Sequence, residues 1–203
     1  MGEKIESSKG IIVVISGPSG VGKGTICREL LKRIGNAYLC VSVTTRTKTE
    51  KETDGKDYCF VSRDEFQKRI ENGMLLEYAE VFGNFYGTPK DKLDEVIAQK
   101  RVAILEIDVQ GGLQVKRIYP DAVLIFILPP TQKELAGRLY GRARDDQASA
   151  KKRLGQADNE TAIAQKNYQY KVVNDKLQDA VNQILKIIES ARTEKKMVSK
   201  NIK

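Results

Sequence analysis

A buried strand, a glycine-rich turn and an amphipathic helix follow one another near the start of the chain. The strand is Ile11–Ile15, an apolar run in which every residue is β-branched. Such a run is typical of a strand covered on both faces in a parallel sheet. After the turn, Ile26, Leu30, Leu31 and Ile34 recur at helical spacing. This unit constrains the fold most, because it predicts a parallel α/β sheet with an anion-binding turn at its edge.

The turn itself carries the strongest chemical signal in the chain. Its glycines allow a tight backbone path around an anion and leave successive N–H groups pointing inward. The helix N-terminus adds a positive dipole, and Lys23 can reach the β- and γ-phosphates of a nucleoside triphosphate. The alternative is a glycine-rich turn that binds no ligand, but the lysine and both flanking elements favour phosphate binding. The predicted binding residues are Gly17, Pro18, Ser19, Gly20, Val21, Gly22, Lys23, Gly24 and Thr25.

Position 24 departs from the usual pattern of such a turn. A serine or threonine normally follows the lysine and offers its hydroxyl to Mg²⁺. Here Gly24 stands in that place, and the hydroxyl comes one residue later, at Thr25. Because Mg²⁺ keeps its waters readily, we expect it to be held mostly by phosphate oxygens and water, with Thr25 as the candidate protein ligand.

The composition fits one compact globular domain. The chain has 203 residues, of which 40% are hydrophobic and 31% charged. It has no histidine, which excludes Ser–His and Cys–His nucleophilic pairs and histidine metal sites. A net charge of +8 suggests polyanionic partners. Part of that charge lies in residues 191–203, which we expect to form a solvated tail and not a nucleic-acid site.

The cysteines and the apolar runs indicate a cytoplasmic protein. Cys27, Cys40 and Cys59 are odd in number and share no CxxC spacing, so we expect reduced thiols and no zinc site. The apolar run Ile11–Ile15 is far too short to span a membrane. We therefore predict neither membrane nor nucleic-acid partners.

Strands and helices alternate along the rest of the chain, as in a parallel α/β sheet. Buried strands are predicted at Val102–Asp108 and Ala122–Leu128, a short strand at Tyr38–Val43, and a final amphipathic helix at Leu177–Ala191. Short strands and turns between residues 42 and 90 predict a small, partly antiparallel lobe inserted into this framework. We predict a core of residues 1–41, 91–131 and 154–203, a lobe of residues 42–90, and a charged helical segment of residues 132–153.

Several segments distinguish among the ATPases, GTPases and kinases that share such a turn. They are the turn itself, VSVTTR at residues 41–46, DGKDYCFV at 54–61, LEYA at 76–79, YGT at 86–88 and LEIDVQG at 105–111. In this order and spacing they resemble the guanylate kinase family, of the bacterial type, from about Ile11 to Asn174. Each segment alone is a weak signal, whereas their joint spacing is specific.

The resemblance implies a P-loop sheet flanked by helices, a GMP-binding lobe at 42–90 and a helical lid at 132–153. Ser42, Arg46 and Tyr58 match the family's ligands for the GMP phosphate, and Tyr86 matches a further phosphate contact. An arginine offers a bidentate fork to phosphate, and the hydroxyls add single donors. Asp108 matches an aspartate near the GMP ribose and the metal.

Glu77 and Thr88 match the pair that recognises guanine. A carboxylate can accept hydrogen bonds from guanine N1–H and the exocyclic amine together, and adenine lacks this pair of donors. A buried carboxylate left without partners is costly, so this one group can reject AMP strongly. The resemblance therefore implies GMP, and also dGMP, as acceptor.

The resemblance also implies in-line transfer of the γ-phosphoryl group from Mg²⁺–ATP to GMP. Arginines of the lid would stabilise the charge on the transferring group, and the lid would exclude water. On composition alone, the same segment fits a solvated, charged helix pair. Asn174 matches a residue near the adenine. The predicted catalytic residues are Lys23, Arg46, Arg138, Arg142 and Arg153.

One departure and two alternatives stay open at this point. Thr49 stands where the family usually has a second phosphate-binding arginine, so either Lys48 or Lys51 substitutes for it or GMP affinity is lower. The alternatives are a non-catalytic guanylate-kinase-like interaction module and a kinase for another nucleoside monophosphate. The retained loop and lid arginines argue against the first, and Glu77 with Thr88 argues against the second.

Overall fold

The computed structural model describes residues 10–140 and 147–200, so Arg142 lies outside the described residues. The strands are β1 Ile11–Ser16, β2 Ala37–Cys40, β3 Val43–Thr44, β4 Cys59–Phe60, β5 Leu75–Val81, β6 Asn84–Pro89, β7 Val102–Glu106, β8 Val123–Leu128 and β9 Tyr170–Val173. The helices are α1 Lys23–Arg33, α2 Arg63–Glu71, α3 Lys90–Ala98, α4 Val109–Ile118, α5 Gln132–Tyr140, α6 Gln147–Asn167 and α7 Leu177–Lys200.

The larger sheet has five parallel strands in the order β2-β7-β1-β8-β9. Strand β1 lies in the centre, which explains why all six of its residues are buried and the first five are apolar. Its alternate residues belong to two separate cores: Ile11, Val13 and Ile15 pack with α1 and α7, and Ile12 and Val14 pack with α3 and α4. Helices therefore cover both faces of the sheet, as the buried strands predicted.

The smaller sheet has four strands in the order β4-β3-β6-β5. Strands β5 and β6 form an antiparallel hairpin, and β3 pairs parallel with β4 and antiparallel with β6. All four strands come from residues 43–89, between β2 and α3. The predicted α/β class with an additional mixed sheet is confirmed.

The predicted strand Tyr38–Val43 is wrong as a single element. Its first part, β2, pairs with β7 in the larger sheet, and Val43 begins β3 in the smaller sheet. The chain changes sheets at Val41 and Ser42, and a continuous β-prone sequence hides that change. The final helix also runs to Lys200, beyond the predicted end at Ala191. No helix in the described ranges is long and apolar enough to cross a bilayer.

Side-chain caps fix the starts of three helices around the sheets. Ser62 accepts a hydrogen bond from Glu65 N at the start of α2, and Asp108 accepts from Gln110 N and Gly111 N at the start of α4. Thr131 Oγ1 accepts from Glu134 N at 3.1 Å at the start of α5. Each cap supplies an acceptor for a backbone N–H that the helix itself leaves without one.

Candidate active site

The glycine-rich turn joins the carboxyl end of β1 to the start of α1. Gly22 is the N-cap residue of α1 and has φ +102°. A Cβ atom there would lie 2.6 Å from Asn174 Nδ2, so only glycine fits both the conformation and the space. Lys23 folds back over the turn and donates to Gly17 O at 2.6 Å and Pro18 O at 3.2 Å. The turn is thus a closed ring of backbone with an ammonium group at its mouth.

Two side chains from distant segments hold this turn from behind. Asn174 is buried and donates from Nδ2 to Val21 O at 2.8 Å. Arg138 of α5 lies nearby, with Nη1 3.4 Å from Val21 O and Nη2 3.4 Å from Asn174 O. The predicted contacts of Asn174 with adenine and of Arg138 with the transferring phosphoryl group stay predictions. In the structure, Asn174 and Arg138 both contact the backbone of the glycine-rich turn at Val21 O.

Glu106, at the end of β7, is a carboxylate that sequence reasoning missed. A Cβ atom on Gly24 would lie 3.4 Å from Glu106 Oε2, an ordinary contact distance, so the carboxylate faces the position where a hydroxyl residue normally stands. Burial raises the pKa of Glu106, and the positive charges of Lys23 and Arg28 oppose that rise. Thr25 is exposed, and its Oγ1 accepts from Arg28 Nη2 at 3.1 Å.

Arg46 forms a two-pronged ion pair with Glu52. Its Nη2 lies 2.6 Å from Glu52 Oε1, and its Nη1 lies 3.1 Å from Glu52 Oε2. The guanidinium also lies over the rings of Tyr58 and Phe60, at 5.4 and 5.6 Å from their centroids. The hydrogen bond from Arg46 is the main reason that the pKa of Glu52 falls to about 2. Arg46 is therefore held in one place before any ligand arrives.

Thr49, which stands where the family usually has a second arginine, bonds to Glu52. Its N–H and hydroxyl donate to Glu52 Oε2 at 3.0 and 2.7 Å. Lys48 Nζ lies 3.3 Å from Glu52 O, on the exposed side of the loop. Thr49 thus stabilises Glu52, and which lysine, if either, reaches a ligand phosphate stays a prediction.

Tyr58 and Tyr86 lie beside this arginine, and Ser42 precedes it in the chain. Ser42 is buried, and the rings of Tyr58 and Tyr86 meet edge to face with centroids 5.9 Å apart. Burial is the main cause that raises the pKa of Tyr58 to about 12, so its hydroxyl keeps its proton and can donate to a phosphate oxygen. Three of the predicted phosphate ligands, Arg46, Tyr58 and Tyr86, are therefore close together, and the phosphate-binding role of all four stays a prediction.

Glu77 and Thr88 face each other across the β5–β6 pair. Thr88 Oγ1 donates to Glu77 Oε1 at 2.6 Å, and both residues are buried, Glu77 with only 3% of its surface exposed. Burial is the main cause that raises the pKa of Glu77 to about 7, against the hydrogen bond from Thr88, and Asp108 adds to the rise. Gly111 leaves the room for this carboxylate, because a Cβ there would overlap Glu77 Oε2. Burying an ionisable group is costly, and within the described residues the hydrogen bonds to Glu77 come from Thr88, which favours a role in binding.

Asp108 connects the two halves of the site. Its Oδ1 accepts from Gln110 N at 2.7 Å and Gly111 N at 3.1 Å, which fixes the glycine beside Glu77. Its carbonyl accepts from Ser16 Oγ at 3.2 Å, at the end of the strand that precedes the phosphate-binding turn. Asp108 also lines a cavity of about 130 Å³ between β5, α4 and α6. Its predicted proximity to a ribose and a metal stays a prediction.

A second cavity in the described part of the chain lies elsewhere. It measures about 450 Å³ and is lined by Gly10, Ile12, Ile97 and Tyr119, among others, at the amino ends of the strands. Ligands of open α/β sheets bind at the carboxyl ends, where the glycine-rich turn and Asp108 lie. Cavity size therefore does not locate the candidate site.

Comparison with known proteins agrees with this geometry. The model of the guanylate kinase family matches residues 9–191. The chain belongs to the guanylate kinase family. A guanylate kinase of Clostridium tetani (strain Massachusetts / E88) is 47% identical over 184 residues, which cover 91% of this chain and 88% of that protein. A guanylate kinase of Lactococcus lactis subsp. lactis (strain IL1403) is 46% identical over 182 residues, covering 90% of this chain and 88% of that protein.

A solved structure supports the same fold. The crystal structure of guanylate kinase from Anaplasma phagocytophilum has a TM-score of 0.77 to this chain at 35% identity, and the match covers 92% of this chain and 88% of that one. The family resemblance and the fold expected from the sequence are confirmed. Glu106 and Glu52 are the residues that sequence reasoning missed among those around the guanylate kinase site. Glu106 lies inside the segment LEIDVQG, and Glu52 lies just before DGKDYCFV. Their contacts with Gly24 and Arg46 cannot be inferred from the spacing of these segments.

Proposed function

We infer that this chain is a guanylate kinase, which transfers the γ-phosphoryl group of ATP to GMP and releases ADP and GDP. The observation that supports this inference most is the buried carboxylate of Glu77. It lies near the carboxyl ends of the strands of the larger sheet, as does the glycine-rich turn with Lys23. A neutral base with two adjacent N–H donors can complete the hydrogen bonds of a buried carboxylate, and guanine is such a base. Family membership independently supports the same activity.

Recognition of guanine follows from the side-chain geometry. Thr88 occupies Glu77 Oε1, and this bond fixes the plane of the carboxylate. Guanine N1–H and the exocyclic amine would complete its hydrogen bonds, whereas AMP would leave a buried charge without them. The ribose 2′-hydroxyl plays no part in these contacts, so dGMP should also be an acceptor.

The GMP phosphate would bind at Arg46, with Ser42, Tyr58 and Tyr86 as further donors. Because Glu52 holds two prongs of the guanidinium, Arg46 meets the phosphate already oriented. Lys23 and the turn would hold the β- and γ-phosphates of ATP. The protein's contribution is therefore to hold two anions in line and to neutralise their charge.

The residues near Gly24 fit a Mg²⁺ ion bound together with ATP. Mg²⁺ prefers one or two carboxylates plus substrate phosphates and water, and Glu106 offers a carboxylate beside the turn. Glu106 would hold the hydrated ion, and Thr25 is the less suited candidate because it is exposed and bonded to Arg28. When bound, the ion would neutralise charge on the β- and γ-phosphates.

Closure over the site is proposed for residues 132–153, and GMP binding for the lobe of residues 42–90. Arg153 Nη1 already lies 3.1 Å from Ser19 Oγ of the turn, close enough to act on a phosphate bound there. Arg138 and Arg142 are proposed to act with it. We also propose a cytoplasmic location, on the cysteine content alone.

The test is ADP formation with ATP and a panel of five nucleoside monophosphates. We expect GMP to be preferred, and Glu77→Ala to lower kcat/KM for GMP by about a hundredfold or more while the low rate with AMP changes little. Lys23→Ala should lower kcat by a similar factor. The matched controls are Glu80→Ala on the same strand and Lys32→Ala on the same helix, which should stay near the parent.

Other outcomes would identify the alternatives. GMP binding without ADP formation would indicate a non-catalytic interaction module. Preference for AMP or a pyrimidine nucleotide would indicate another nucleoside-monophosphate kinase. A Glu77→Ala variant that still prefers GMP over AMP as strongly as the parent would contradict the proposed mode of guanine recognition.

A further inference from the structure

The turn between β5 and β6 contains a residue in an unfavourable conformation. The loop has two residues, Phe82 and Gly83, with φ +50° and +78°. Two-residue hairpins of this kind require positive φ at both positions, and asparagine, aspartate or glycine normally fills the first. A phenylalanine there is strained by the contact of its Cβ with the backbone. Strained residues that persist are concentrated at functional sites.

The backbone of this turn is held from both sides. Asn84 Nδ2 lies 3.4 Å from Phe82 O, and Arg63 Nη2 donates to Gly83 O. Arg63 in turn lies over the ring of Phe85, 5.4 Å from its centroid. These contacts hold the backbone that carries the Phe82 ring.

That ring lies against Arg153 of α6. The guanidinium carbon is 5.3 Å from the ring centroid, within the range of a cation–π contact. The same guanidinium donates from Nη1 to Ser19 Oγ of the phosphate-binding turn at 3.1 Å. The Arg153 guanidinium thus contacts both the Phe82 ring of the β5–β6 hairpin and Ser19 of the glycine-rich turn.

We propose that Phe82 is a positioning residue that seats the Arg153 guanidinium over the phosphate-binding turn. This inference rests on the proposed function, in which Arg153 stabilises the transferring phosphoryl group. An aromatic face orients a guanidinium without neutralising its charge. The ring also belongs to the hairpin that carries Glu77, so the element that binds guanine also positions the arginine.

The test is a double-mutant cycle between Phe82 and Arg153, measured by steady-state kinetics with ATP and GMP. Phe82→Leu should lower kcat by about tenfold, the size expected for a partly desolvated cation–π contact, with KM for GMP nearly unchanged. Phe82→Tyr keeps the aromatic face and should restore kcat to within about twofold of the parent. In an Arg153→Ala background, Phe82→Leu should have almost no further effect, because the two residues act as a unit.

A glycine variant separates positioning from folding. Phe82→Gly relieves the backbone strain, so its Tm should equal or exceed that of the parent, while kcat falls as in Phe82→Leu. The inference is overturned if Phe82→Gly keeps the parent kcat, or if Phe82→Leu costs as much in the Arg153→Ala background as in the parent. A parent enzyme that does not phosphorylate GMP would overturn the proposed function, and this inference with it. An active parent without coupling between the two residues overturns this inference alone.

Discussion

Acidification should weaken GMP binding, because Glu77, the proposed guanine ligand, must be ionised to accept from two N–H donors. Burial raises the pKa of Glu77 to about 7 in the free enzyme. Lowering the pH from 8 to 6 therefore converts most molecules to a form in which Glu77 is protonated and cannot accept both bonds. GMP has to displace that proton in order to bind.

The magnitude follows from the ionised fraction of Glu77. With a pKa near 7, the ionised fraction is about 0.9 at pH 8 and about 0.1 at pH 6, so the apparent affinity should fall about tenfold. At pH 7, about half of the free molecules carry the proton, and GMP binding should release about half a proton per site. The GMP phosphate titrates near pH 6 and adds its own dependence.

Isothermal titration calorimetry from pH 6 to pH 8, in two buffers with different ionisation enthalpies, measures both quantities. Glu77→Gln is the control, since its amide does not titrate in this range and still accepts from Thr88. Its pH dependence should be only that of the GMP phosphate. Identical pH profiles for parent and variant would refute the reasoning, as would proton release at pH 7 that is the same in both.

The same pKa predicts how stability depends on pH. The folded state raises the pKa of Glu77 from 4.5 to about 7 and so favours the protonated form. This group therefore destabilises the fold as pH rises from about 4.5 to about 7, by about 3 kcal/mol in total. Glu77→Gln should remove this penalty, so its stability gain in urea denaturation should be present at pH 8 and small at pH 4.5.

Two further substitutions test the structure around the substrates. Gly111→Ala should raise KM for GMP by about a hundredfold, because the new methyl group displaces the carboxylate of Glu77. Its control is Gly155→Ala, where nothing lies near the added methyl group. That substitution should leave KM unchanged and raise the free energy of unfolding by about 0.5–1 kcal/mol. Glu52→Ala should raise KM for GMP by about tenfold and leave KM for ATP unchanged, since Arg46 loses its anchor. Glu50→Ala, exposed in the same loop, is its control, and a lower KM for GMP in Glu52→Ala would show that Glu52 competes with the phosphate.

Local patterns were sufficient to predict the larger sheet and the phosphate-binding turn. The apolar run of β1 is uniform because helices cover both faces of that strand, and the glycines are needed where the turn bends. These constraints operate over a few neighbouring residues and so appear directly in the sequence. The change of sheets after Cys40 does not, because both sides of the break are equally suited to strands.

Long-range contacts determine the parts of the site that were missed. Glu106 ends an apolar strand, and only the packing of β7 beside α1 brings it to Gly24. Gly111 resembles any glycine in a helix until the carboxylate that occupies the space beside it is known. The motif match identified Glu77 as a candidate, but its burial and raised pKa depend on β6, α4 and Asp108 together.

Two unfavourable features of this protein lie in one hairpin. Glu77 places an ionisable group in a buried position at a cost of about 3 kcal/mol above neutral pH, and Phe82 adopts a left-handed conformation at a cost of about 1–2 kcal/mol. In the five-stranded sheet, the interior of β1, β7 and β8 is apolar, and the buried carboxylate of Glu106 lies at the carboxyl end of β7, beside the glycine-rich turn. A costly arrangement persists where binding a ligand requires it, so this distribution indicates that β5 and β6 are shaped by the acceptor and the transferring group, and the interior of the larger sheet by stability. Substitutions that stabilise the hairpin should therefore reduce activity, whereas stabilising substitutions in the core of the larger sheet should leave it unchanged.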